Sequence, residues 1–410
     1  MVKITGMGLI SPHGDDPLAV LAALMRGESA VQQVFPELAK PAAAATAPFE
    51  VSRWFTKLQL AGVDRVSQMA VAAADLALRD AGLSTDAPRV LNAAPERMGI
   101  YCGCSMGGIS ALDFAYRSAW SGGRVPPLTV PALMPNAPAA HVAMRNGVQG
   151  PVLSYTVACA SGAVALSEAA KAIRAGEIDV AIAGGSEALL VPGVLMAWQA
   201  MQTLAHFEPG EAARCCRPFA ADRSGFVLGE GAAFMILESA AHARARQARV
   251  YATLAGTGLS CDASHLTKPD AAGQARALRA ALAQADLAPA DIGYCNAHGT
   301  ATKTGDVVEA QALREVWGDA IDTLQVSSTK ALHGHLLGAT GALEAAITVL
   351  ALTQAQLPPN AHSEQADPAC ALNLVRGPHG HGLPATHLRA AISNSFAFGG
   401  TNSVLVFTRD

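Results

Sequence analysis

The strongest constraint in this sequence is that it repeats itself. Four segments of the first half have counterparts in the second, in the same order. GMGLIS from Gly6 parallels GTGLSC from Gly256, and MGIYCGCSMGG from Met98 parallels IGYCNAHGTAT from Ile292. LSYTVACASGAVALSEAAKAI from Leu153 parallels VSSTKALHGHLLGATGALEAAITVL from Val326, and FVLGEGAAFMILE from Phe226 parallels FAFGGTNSVLVF from Phe396. Each match alone is weak, because small residues recur by chance in so Ala- and Gly-rich a chain. Agreement in the order of all four is hard to obtain by accident. Within each half, apolar strand-like runs alternate with alanine-rich helical ones, which is an α/β pattern. The chain is therefore expected to form two similar α/β halves, 1–249 and 250–410. They should meet at a pseudo-twofold interface, where ligand sites are preferentially built.

With 410 residues, 51% hydrophobic and 15% charged, the chain can bury a large core and lacks the composition of a disordered one. A formal net charge of −4 carries no nucleic-acid or polybasic membrane footprint. The apolar runs read as broken within a helix's length by polar, Gly or Pro residues. MVKITGMGLISP also lacks the charged-then-apolar layout of a signal peptide, so a cytoplasmic location without a membrane span is expected. The eight cysteines should then be reduced. Neither Cys102 with Cys104 nor Cys215 with Cys216 has zinc-site spacing, so no metal is expected.

One cysteine stands apart. After the strand-like PVLSYTV, the small residues Ala158, Ala160, Ser161 and Gly162 permit a sharp turn that puts Cys159 at a helix N-terminus. There the helix dipole should lower the thiol's pKa, and the unpaired N–H groups can hold an oxyanion. A lone cysteine flanked by apolar residues is more often inert core, so its partners decide. At related places of the second half stand His298, in NAHGTAT, and Lys330 with His335, in STKALHGHLLGATG. One nucleophile and three nitrogen donors suit thiol acylation followed by stabilisation of an enolate.

VACASG, NAHGTATKTGD, SSTKALHGHLLGATGALEA and SNSFAFGGTN resemble the signature stretches of β-ketoacyl-acyl-carrier-protein synthases, the synthase II branch most of all, and the resemblance covers almost the whole chain. It implies a thiolase-like fold with αβαβα layers, a homodimer or a heterodimer with a chain-length-factor-like subunit, and decarboxylative Claisen condensation. Carried over residue by residue, Cys159 holds the acyl chain, and His298 and His335 act on the malonyl thioester. Lys330 tunes the site with Glu344 as partner, and the backbone N–H groups of Cys159 and Phe398 form the oxyanion hole. Phe396 and Phe398 lie in the gate loop, Met106 at the far end of the acyl pocket, and Arg65 and Arg124 near the positions that dock the carrier. Substrates ride on the phosphopantetheine of the acyl carrier protein, with no further cofactor.

Four positions depart from the housekeeping pattern: Ala397 for glycine in the gate loop, His333 for threonine, Ala160 for threonine or serine, and Gln202 for a docking arginine. They leave fatty-acid, polyketide and aryl-polyene assembly open. Rival signals exist. GCSMG from Gly103 fits the G-x-S-x-G elbow of an α/β-hydrolase with Ser105 as nucleophile, but leaves the thiol constellation and the duplication unexplained. Ser327 to Lys330 spells S-x-x-K and Lys303 to Gly305 spells K-T-G, in the reverse of the order that penicillin-recognising enzymes use. A CoA-dependent thiolase would need a second cysteine beside the final glycine-rich loop. A noncatalytic chain-length factor would lack Cys159.

Overall fold

The computed structural model describes residues 1–83, 93–385 and 387–409. Ten strands carry the fold: β1 (Val2–Ile10), β2 (Met98–Gly103), β3 (Val152–Tyr155), β4 (Val180–Glu187), β5 (Gly231–Ser239), β6 (Ala252–Cys261), β7 (Tyr294–Asn296), β8 (Gln325–Ser327), β9 (Ala390–Phe396) and β10 (Thr401–Thr408). They run across one continuous sheet in the order β3-β2-β4-β5-β1-β6-β10-β9-β7-β8. Cut between β1 and β6, each half reads 3-2-4-5-1 from its own edge inward. The strand senses repeat as well, with β2 parallel to β3 and β4 as β7 is to β8 and β9, and the remaining pairs antiparallel. Even the bulge recurs, the register slipping beside Gly6 in β1 and beside Gly256 in β6. The two halves join through antiparallel pairing of Val2 with Leu254.

The helices that position the site are α1 (Arg65–Asp80), α2 (Ile109–Trp120), α3 (Ala137–Asn146), α4 (Ser161–Arg174), α5 (Pro192–Ala200), α6 (Ala271–Ala285), α7 (Lys303–Trp317) and α8 (Thr340–Gln354). Helix α1, with α3 against it, covers one half-sheet, and α6, with α7 against it, covers the other. Between them α4 and α8 each touch strands of both halves, which gives five layers, α-β-α-β-α. The two central helices approach closely at their N-termini. A Cβ on Gly162 would fall 2.9 Å from the Ala342 nitrogen, and one on Gly341 would fall 2.8 Å from the Ala163 nitrogen, so both positions need glycine.

A central helix has no face turned to water, and α8 is buried from Thr340 to Leu352. The run Leu337–Gln354, though interrupted by Gly338, Gly341 and Glu344, is long and apolar enough to cross a bilayer, yet it is 89% buried and forms the core helix of the central layer.

Candidate active site

The chain leaves β3 at Tyr155 and makes one tight turn, Ala158–Ala160, before α4 begins at Ser161. Ala158 lies at φ 44°, a left-handed conformation that a residue with a Cβ adopts only under constraint. Ser161 supplies the constraint: its Oγ accepts from the Val157 N–H at 2.8 Å and donates to the Ala158 carbonyl at 2.7 Å. The turn thereby presents Cys159 at the head of α4, as expected. The electrostatic expectation fails, however. Burial pushes the thiol up to about 11, against the opposing pull of Lys330 and of the backbone N–H groups of Phe398 and Cys159, which both point at the sulfur. A helix terminus cannot offset the loss of water around a thiol that is only 7% exposed.

The second half delivers the other polar groups to the same place, through the central-layer contact. Beyond β8 the chain makes one helical turn, Lys330–His333, and then Gly334, at φ 70°, turns it toward the sheet. His335 is anchored by its own N–H, which donates to the Val227 carbonyl at 2.6 Å, and by Thr340 Oγ1, 2.8 Å from its Nδ1. Among the described residues its Nε2 has no partner. His298 follows β7, and its loop is held by Glu309 on α7. The Glu309 carboxylate accepts from the His298 N–H at 2.9 Å, the Gly299 N–H at 2.7 Å and Asn394 Nδ2 at 3.1 Å.

The Cys159 sulfur and one ring nitrogen from each histidine lie within 4.8 Å of one another. Burial first, then the nearby Lys330 charge, hold both imidazoles well below their ordinary pKa, so they are neutral at pH 7. Lys330 itself is fully buried, and its Nζ donates to both Glu344 oxygens, at 2.6 and 2.8 Å. Burial lifts the Glu344 carboxyl to about 7 against the pull of this ammonium. One thiol and two imidazoles could also ligate a soft divalent ion. The Lys330 charge opposes such an ion.

A cavity of about 910 Å³ opens from Cys159, His298 and His335 to the surface. Phe396 and Phe398 line it. Phe396 lies edge-on to His298 at 6.0 Å, while Phe398 stacks on Trp198 at 6.1 Å. The gate loop tolerates Ala397, because its left-handed residues are Gly399 and Gly400, at φ 90° and 80°.

Met106 packs on the apolar cluster that holds Cys159, away from the open cavity. Other expectations need correction. His333 is buried and pushed well below its usual pKa by burial and by Lys330, so it adds no charge near neutrality; its Nε2 lies 2.9 Å from Thr329 Oγ1. Arg65 is no free docking cation. Its guanidinium grips Glu230 through two nitrogens, at 2.6 and 2.9 Å, while Arg124 is exposed beyond α2. Ser105 bonds through its hydroxyl and its N–H to the buried carboxylate of Glu187, not to a histidine.

Sequence reasoning passed over the supports. Glu187 also accepts from the N–H of Gly338 at 3.0 Å, which ties the Ser105–Met106 loop to the turn behind His335. Arg223, 4% exposed, donates to the carbonyls of Thr302 and Lys303 at 3.0 and 2.7 Å and to Asp367 at 2.7 Å, fixing the loop between His298 and α7. Glu309 and Thr340 act likewise. Each is an ordinary polar residue at a strand end, on a helix or in a loop, and only its distance to a partner remote in sequence marks it out.

The comparisons with known proteins agree with this geometry. The family model of the β-ketoacyl synthase N-terminal domain matches residues 1–243, and that of the C-terminal domain matches residues 251–364. Nodulation protein E of Rhizobium meliloti is 41% identical over 411 residues, covering 99% of this chain and 98% of the relative. The 3-oxoacyl-[acyl-carrier-protein] synthase 2 of Staphylococcus aureus (strain N315) is 35% identical over 416 residues, covering 100% and 98%. A solved structure of the ishigamide ketosynthase/chain length factor superposes with a TM-score of 0.90 at 31% identity, covering 100% of this chain and 99% of that one. Both halves of the chain, and the fold that joins them, belong to the β-ketoacyl synthase family.

Proposed function

We propose that the chain is a β-ketoacyl-acyl-carrier-protein synthase that joins an acyl group held on Cys159 to a malonyl thioester with loss of carbon dioxide. The observation that carries this reading is the meeting of the thiol and two imidazole nitrogens within 4.8 Å, with two backbone N–H groups at the sulfur. In the first half-reaction the sulfur bonds to the carbonyl carbon of the acyl thioester. The oxygen gathers charge between the N–H groups of Cys159 and Phe398, and the carbon–sulfur bond to the carrier breaks. The thiol, held up near 11, gives up its proton as the bond forms, and the departing carrier thiolate takes one up from solvent, so the step balances.

In the second half-reaction the malonyl carboxylate leaves as carbon dioxide, and its bonding pair becomes an enolate. With the Thr340 hydroxyl donating to His335 Nδ1, Nε2 carries the ring proton and faces the enolate oxygen together with His298. The enolate carbon attacks the acyl carbonyl, the bond to Cys159 breaks, and the sulfur regains a proton from solvent. Burial, aided by the Lys330 charge, keeps both imidazoles neutral, and Glu344 compensates that charge. As written the reaction balances without a metal or redox cofactor.

An acyl carrier protein delivers both thioesters, as the printed name of the staphylococcal relative supports. Its acidic surface would meet Arg124 and the exposed Lys40, Lys268 and Lys303 at the cavity mouth, with Arg65 withdrawn into its pair. Strand β3 ends the sheet with Val152 and Leu153 about two-fifths exposed. An unpaired apolar edge favours a second copy or a related subunit. Retention of Cys159 favours the catalytic role within such a pair. The testing experiment supplies carboxyl-labelled malonyl carrier and an acyl carrier: labelled carbon dioxide should match the 3-oxoacyl product one to one and vanish with Cys159→Ala. Hydrolysis of the acyl donor without condensation contradicts the reading.

A further inference from the structure

Six rings form an unbroken series through the site. Phe398 stacks on Trp198 at 6.1 Å with 27° between planes, Trp198 meets Phe226 edge-on at 5.4 Å, and Phe226 meets His335 edge-on at 5.5 Å. His335 and His298 follow at 5.6 Å, then His298 and Phe396 at 6.0 Å. Five of these rings stand on strands, on the turns that follow them or against the central layer. Trp198 does not. It projects from α5, a nine-residue helix that buries only Leu195 and leaves Met196 and the following Met201 about half exposed. An element with so little buried apolar surface opens at lower free energy than the core around it.

We infer that Trp198 is the latch of the gate, a positioning residue that sets when Phe398 opens. This deepens the function proposed above and rests on it. Phe398 occupies the tip of a four-residue turn between β9 and β10, whose Gly399 and Gly400 give the backbone freedom to swing. Two anchors hold that tip in place: the Gly399 N–H donates to the Leu266 carbonyl at 2.7 Å, and the phenyl ring stacks on Trp198. The backbone N–H of Phe398 points at the sulfur of Cys159, so the stack holds one donor of the oxyanion hole as well as the ring. Trp198 both lines the open cavity and packs on the apolar cluster around Cys159, and it thus forms the partition between the outer chamber and the acyl side. An acyl chain arriving on Cys159 must displace the stacked pair to enter that cluster. The state of Cys159, empty or acylated, is thereby read by whether the stack is closed.

Two measurements test this, each with its own control for the underlying reaction. In the full chain labelled with 5-fluorotryptophan, the four resonances are assigned by Trp198→Phe and by the three corresponding single replacements. The protein is then acylated with the octanoyl thioester of N-acetylcysteamine while mass spectrometry follows the Cys159 adduct. The Trp198 resonance should move or broaden with the adduct, whereas those of Trp54 and Trp317 stay in place. An adduct without change at Trp198 overturns the latch; absence of any adduct overturns the function reading instead.

In steady state, Trp198→Ala should raise carbon dioxide release without product over wild type by about 2- to 12-fold, the range by which an aromatic pair of this kind biases a two-state equilibrium. The gate would no longer distinguish an empty thiol from a loaded one. Trp198→Phe keeps a ring at the position and should restore most of the coupling. A one-to-one ratio of carbon dioxide to product in a folded Trp198→Ala overturns the proposal. So does equal uncoupling in Trp198→Phe, which points to general damage. If the alanine variant does not fold, the fluorine measurement decides alone.

Discussion

Removing the carboxylate of Glu344 strands the ammonium of Lys330 where water cannot reach it. The lysine is fully buried, and its two acceptors within 2.8 Å both belong to Glu344. In Glu344→Gln the single remaining amide oxygen accepts one bond and supplies no countercharge. Breaking a buried ion pair from one side costs about 3–5 kcal/mol. The cost is bounded from above, because an ordinary lysine can shed its proton at pH 7 for about 4.6 kcal/mol. At roughly 2 °C per kcal/mol in a chain this long, the melting temperature should fall by about 6–9 °C. The sign of the pH dependence follows. The folded variant favours the neutral amine, so the unfolded chain binds more protons and the deficit shrinks as pH rises from 7 toward 10.

The decisive control is the double variant Lys330→Met with Glu344→Leu, which removes both charges at similar volume. It should recover most of the stability, since apolar replacement of a buried pair is neutral to stabilising. It should not recover condensation, because the Lys330 charge that acts on Cys159, His298 and His335 is gone, although burial still holds both imidazoles below their ordinary pKa. Chemical denaturation read by circular dichroism, with carbon dioxide release on the same samples, checks both. Stability losses under about 1 kcal/mol in Glu344→Gln, or a double variant as unstable as the single one, would refute the claim that this pair is an isolated buried charge pair.

Three further outcomes follow from the same geometry. Alanine at His298 or His335 should leave Cys159 acylation largely intact while suppressing carbon dioxide release by about 10²–10³-fold, read by adduct mass spectrometry and label release. Because burial lifts the Cys159 thiol to about 11, its alkylation by iodoacetamide should rise about tenfold per pH unit from 7 to 10, and a plateau near pH 8 contradicts the burial argument. Arg124→Glu should weaken carrier binding in a salt-sensitive way without touching stability, whereas Arg65→Glu should destabilise the fold by placing two acids together at Glu230; binding isotherms and melting curves separate the two.

The fold was legible because duplication is a one-dimensional signal. The four matched segments fall on equivalent strands, GMGLIS and GTGLSC becoming β1 and β6, while the 3-2-4-5-1 order across the sheet comes from the structure alone. Cys159, His298 and His335 were legible for a related reason: each is a polar exception among small residues at a strand end, where a chain that needs only packing would not put one. What escaped is what depends on distance through space. The thiol's pKa follows from burial by the facing half of the molecule, which outweighs the local helix terminus that a sequence window contains. Arg65 reads as a surface cation until Glu230, 165 positions on, is found against it. Trp198 reads as an ordinary aromatic within a methionine-rich helix, and nothing local says that the residue facing it is the gate.

The central claim is that Cys159 carries the growing acyl chain, and the most direct measurement locates that chain. The protein is incubated with an acyl-loaded carrier protein in the absence of malonyl donor, quenched in acid, digested and sequenced by mass spectrometry. The account predicts the acyl mass on the peptide containing Cys159, its loss on adding malonyl carrier, and its reappearance in the 3-oxoacyl product. An acyl group on Ser105, or one on Cys159 that malonyl carrier cannot discharge, contradicts the account.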